Sequence, residues 1–240
     1  MRRVARGHGT ARRVIRPPQV GQRHPSTSNT RHSSADMDGE NMLAGWAPGA
    51  LPVEFPDGYT MTMGGDEVLI VQMHYFQANP EDAGKSDLSG YSFTTSEQAG
   101  RPLYLIPLGD FSFNIPAGEE AYTSGDRIRH SDLGVPLGLE IHSVFPHMHR
   151  LGTGYSMSIR HDDGSETCLV NGRYDFDNQL TYQFNERPMF RDGDTVNFNC
   201  EWNNSESNEN LVGDPKDTRY GERTDEEMCF FFTLVSPGAP

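Results

Sequence analysis

Polar and apolar positions alternate with the two-residue period of a half-buried strand through much of the second half of the chain. In Thr195–Trp202, Val196, Phe198, Cys200 and Trp202 fall on one face and Asn197, Asn199 and Glu201 on the other. Gly154–His161 sets Tyr155, Met157 and Ile159 on one face, and Leu139–Phe145 alternates too. Two near-continuous apolar runs, Glu67–Tyr75 and Met228–Val235, suit strands buried on both sides. Turn clusters punctuate the chain at 55–58 (FPDG), 162–164 (DDG) and 191–194 (RDGD). No amphipathic helical pattern runs longer than about ten residues. The pattern predicts an all-β protein, an antiparallel β-sandwich or jelly roll. The polar stretch Asn203–Thr224 reads as one long structureless loop, a length associated with function. It separates the strands bearing Cys200 and Cys229, so its ends need a tie.

Composition narrows the classes. The 240 residues are 35% hydrophobic, with no run near the roughly 18 apolar residues of a membrane span. Residues 1–35 hold eight Arg and no Asp or Glu, which leaves the remainder at −22 of the total −14. So acidic a body repels a phosphate backbone, which argues against nucleic-acid binding. The head is rich in Ser, Thr and Pro without apolar periodicity, and predicts a disordered basic tail over residues 1–38. Its charge is not followed by the apolar run that a secretory signal requires.

Candidate chemistry rests on histidine. Of nine, His8, His24 and His32 lie in the head, and His130 and His161 sit among polar neighbours as expected surface residues. The pair in PHMHRLG is sharper: residues two apart in extended chain project to one face, so His147 and His149 can present two imidazoles to one metal. His142, five residues before His147, falls on the opposite face and reads as structural. The third donor is open at this point. A carboxylate would suit iron or zinc; a thioether such as Met228 would select copper(I), because soft sulfur matches the soft ion.

The strings VFPHMHRLG, GDTVNFNCEWNN and DEEMC, with MLAGWAPGALPVEFPDG and EVLIVQMHY upstream, resemble the copper type II, ascorbate-dependent monooxygenases over residues 42–236. The resemblance implies copper as cofactor, held by His147, His149 and Met228, and ascorbate as electron donor. It implies O2 and a small-molecule or peptide substrate as partners, and hydroxylation of an aliphatic C–H bond as the reaction. It implies a Cys200–Cys229 disulfide closing a loop of about 30 residues, a contribution of roughly 3–4 kcal/mol. Cys168 is left as a buried free thiol. A disulfide points to a secreted or periplasmic setting.

His74, in QMHY, matches one histidine of the family's second, electron-transferring copper. The adjacent histidine pair expected with it does not occur in this chain, so a second ion at His74 is expected to be weak or absent. The domains implied are a partial N-terminal jelly roll over 39–98 and a complete C-terminal catalytic one over 99–237. The function implied is a copper monooxygenase cut short at its N-terminus; the alternative is a non-catalytic copper-binding or partner-binding jelly roll that lost the second site.

Overall fold

The computed structural model describes residues 42–64, 69–73, 75, 81, 83–86, 88–135 and 138–238. The basic tail and His74 lie outside the described residues. The described residues within 42–62 and 101–238 fall in one compact unit, and those within 63–100 in another.

The first unit carries the ordered β structure. Its longer strands are β3 (Tyr104–Gly109), β5 (Tyr122–Arg129), β6 (Leu139–His147), β7 (Gly152–Arg160), β8 (Glu166–Arg173), β11 (Thr195–Trp202) and β13 (Phe230–Pro237). Short strands are β1 (Tyr59–Thr60), β2 (Arg101–Pro102), β4 (Asn114–Ile115), β9 (Tyr182–Gln183), β10 (Met189–Phe190) and β12 (Thr218–Arg219). One sheet runs β10-β6-β13-β3 with β9 beside β6; the other runs β5-β11-β7-β8. Every pairing within these two sheets is antiparallel. The result is the β-sandwich that the alternation predicts.

The two inner faces make one core. Ile141, Val144, Phe231 and Val235 from the first sheet pack with Met157, Ile159, Val196, Phe198 and Trp202 from the second. Burial of each such side chain contributes about 1.5–3 kcal/mol. The predicted alternation of β11 is observed residue for residue, with Val196, Phe198, Cys200 and Trp202 buried. All three turn clusters hold their glycine at positive φ: Gly58, Gly164 and Gly193.

β13 is buried on both faces, and alternation divides its side chains. Phe231 and Val235 enter the main core. Phe230 and Phe232 form a second cluster with Phe145, Met228 and Ala47, flanked by Met42 and Ala50. Tyr59, Leu103 and Leu234 make a third. The outer face of the β6–β13 pair is thus covered by the segment around residues 42–61. This segment includes the GWAPG string.

Several expectations need correction. In the run Glu67–Tyr75 the described residues, 69–73 and Tyr75, carry no strand, and Ile70 is 73% exposed. A strand needs a neighbour to bond with, and the described residues of 63–100 contain no strand of two or more residues. Cys168 is exposed rather than buried. The ladder of β7 and β8 slips between Met157 and Ser158, so Leu169 and Val170 both turn inward and Cys168 faces out. His130 is buried, its ring edge-on to Phe190. The polar loop is partly ordered: β12 within it pairs with β4, and Asn204 Nδ2 donates to the carbonyls of Ile115, Pro116 and Lys216.

Candidate metal centre

His147 is the last residue of β6 and lies opposite Phe230 of β13 in the antiparallel register. Two residues further along the two chains stand His149 and Met228. By alternation Phe145, His147 and His149 share a face, as do Met228, Phe230 and Phe232. The observed contacts agree. The His147 ring stacks on Phe145 at 6.2 Å and lies 6.1 Å from Phe232, while Met228 packs with these phenylalanines. The rings of His147 and His149 are 5.4 Å apart and nearly perpendicular. Met148, between them, points the other way and is fully buried in the main core.

Hydrogen bonds fix each ring. His147 Nδ1 is 2.8 Å from Gln179 Oε1. Gln179 Nε2 donates to the Phe176 carbonyl, which turns the amide oxygen toward the histidine. His149 Nδ1 lies 3.0 Å from the Glu226 carbonyl oxygen, a group that can only accept. Both imidazoles therefore carry hydrogen on Nδ1 and, when neutral, the lone pair on Nε2, the arrangement of a metal-ready histidine.

The backbone between the rings is held as firmly. The Tyr174 hydroxyl donates to the Met148 carbonyl and accepts from the Met148 N–H. Burial pushes this phenol well above its usual value of 10.0, so it stays protonated. Tyr174 can approach because residue 152 is glycine: a Cβ there would come within 2.8 Å of the Tyr174 ring. Gln179 is placed by the GWAPG segment, since its N–H donates to the Pro48 carbonyl. Gly49 turns there at φ +83°, and a Cβ would strike the Asn178 backbone at 2.6 Å.

Beneath the site lies Glu227, wholly buried. Its Oε2 accepts from the N–H groups of His149 (2.9 Å) and Met228 (3.3 Å) and from Trp202 Nε1 (3.0 Å). Oε1 accepts from the Leu151 N–H at 2.7 Å. Burial pushes the carboxyl up to about 7, and the four N–H donors pull it down. The next residue, Cys229, is disulfide-bonded to Cys200 of β11, so the bridge ties the two sheets beside Met228.

The donor chemistry fits copper. Two imidazoles and a thioether suit the soft Cu(I) ion. Among the described residues no three of His, Cys, Asp and Glu are grouped as metal ligands.

The profile described as copper type II ascorbate-dependent monooxygenase, C-terminal domain, matches residues 106–236. The chain belongs to this family. It is also similar to a mouse protein named DBH-like monooxygenase protein 2, at 26% identity over 214 residues. The match takes in 82% of this chain and 33% of that protein, so the chain spans about a third of its curated relative. The family match contains the histidine pair and Met228, and most of the sandwich. Gln179, Tyr174 and Glu227 escape sequence reading. Each lies 25 or more residues from the pair it serves, and only Glu227, inside the DEEMC string, falls in a quoted motif.

Proposed function

We propose that this chain carries the catalytic half of a copper monooxygenase that hydroxylates an aliphatic C–H bond with O2 and ascorbate. His147, His149 and Met228 hold the copper. The observation that carries this reading is the convergence of the His149 and Met228 N–H groups on one carboxylate oxygen, with His147 on the same face. Bound copper supplies the activation of O2 and the removal of hydrogen from carbon. The protein's part is geometry. Gln179 and the Glu226 carbonyl keep Nε2 of each histidine as the donor, and the Phe145–Phe230–Phe232 cluster keeps water from the thioether side. His74 alone gives little chelate advantage, so a second ion there binds weakly. The disulfide and the family favour an extracellular or lumenal setting.

The test is copper content by elemental analysis of the full chain, beside oxygen consumption with ascorbate and a peptidyl-glycine or phenethylamine substrate. One tight copper per chain is expected, with slow turnover because one copper delivers one electron where hydroxylation needs two. Two tight coppers, or none, would contradict the assignment.

A further inference from the structure

The ligand pair His149 and Met228 hangs on a buried carboxylate that no sequence reading assigned. Glu227 is wholly buried and its four hydrogen bonds all come from N–H groups. Two of those donors are the backbones of His149 and Met228. A third, Leu151, closes the turn after His149, and the fourth, Trp202, belongs to the opposite sheet. A carboxylate is well matched to this task, because it is acceptor-only and offers about four lone-pair sites. An orphaned buried N–H is costly, so the four donors hold their positions only while the acceptor is there.

The neighbouring residues reinforce the same link. The Glu226 carbonyl takes the His149 ring hydrogen, and Cys229 is bridged to Cys200 two residues before Trp202. The 226–229 segment is thus joined to the histidine turn just before Met228 and to β11 just after it. We infer that Glu227 is a positioning residue for the copper site, setting the distance and direction between the His149 imidazole and the Met228 thioether through their backbones. The inference rests on the ligand assignment proposed above.

The test is Cu(I) affinity of the full, disulfide-bonded chain, by competition with a chromophoric Cu(I) chelator, with thermal midpoints measured in parallel. Glu227→Leu removes both acceptors and is expected to lower Cu(I) affinity about 10–100-fold, the range for loss of an outer-shell partner. Glu227→Gln keeps an oxygen for the three donors at Oε2 and is expected to stay within about threefold of wild type. Ile159→Ala, a core truncation in β7, is expected to lower the midpoint while leaving Cu(I) affinity within about threefold. Should Glu227→Leu fail to fold, Glu227→Asp decides: withdrawn by one methylene, it is expected to cost about 3–10-fold in affinity. Tight Cu(I) binding in the wild type with no loss in the Leu or Asp variant, or affinity that falls with the midpoint in Ile159→Ala as well, would overturn the positioning role alone. A wild-type chain that binds Cu(I) no better than Met228→Ile would overturn the ligand assignment instead.

Discussion

Gln179 decides which nitrogen of His147 carries the hydrogen when the ring is neutral, and it does so from a buried position 32 residues away. Gln179→Leu removes the acceptor at Nδ1 and is expected to cost about 10–100-fold in Cu(I) affinity. His147→Ala should cost more, and equal losses from the two would deny Gln179 its role. His142 carries a different prediction. Its Nε2 faces Ser236 Oγ at 2.9 Å, and Nδ1 is buried with no hydrogen-bond partner among the described residues. Burial lowers its pKa below 6.5; Arg187 and Arg101 lower it further, and Glu140 opposes them. The folded state therefore resists the proton that the unfolded chain accepts. Its stabilising contribution is full above pH 6.5 and is lost as pH falls below that value. Urea midpoints between pH 7.5 and 5 should fall less in His142→Gln than in wild type; parallel curves would refute this. The histidine pair was legible because strand spacing alone puts residues two apart on one face. Gln179 and Tyr174 were not, because long-range hydrogen bonds leave no periodic trace.

At the scale of elements, the bridge between β11 and the start of β13 is the most informative feature. It closes a loop with a sequence separation of 29 and fixes Met228 one residue away. Replacing both cysteines by serine should lower stability by roughly 3–4 kcal/mol in denaturant titrations. It should also weaken Cu(I) binding, since the Met228 segment loses its anchor to the second sheet. Unchanged Cu(I) affinity would show that the Glu227 hydrogen bonds suffice. Strands with clean alternation were readable to within a few residues: β11 matches fully, and β7 is displaced by one or two positions. β13 begins at Phe230 rather than Met228, as the Met228 N–H turns to the Glu227 carboxylate instead of the ladder. The apolar run at 67–75 misled because continuous hydrophobicity reports burial potential without naming a pairing partner. Cys168 was misplaced because a bulge shifts the face of everything before it, and bulges carry no periodic signal.

At the scale of the whole molecule, the larger unit is built on a two-sheet sandwich whose candidate site sits outside the main core. The β6–β13 pair serves both purposes: one face fills the sandwich, and the other carries His147 and three phenylalanines, with His149 and Met228 just past the strand ends. That outer face is covered by the 42–61 segment, which ties the upstream GWAPG string to Gln179. Among the described residues no helix is long and apolar enough to cross a membrane. The central claim is that His147, His149 and Met228 bind one copper together. X-ray absorption at the copper edge of the Cu(I)-loaded full chain tests it most directly. The account predicts one sulfur and two imidazole scatterers, with the sulfur lost in Met228→Ile. A spectrum without sulfur in the wild type, or with sulfur retained in Met228→Ile, would contradict it.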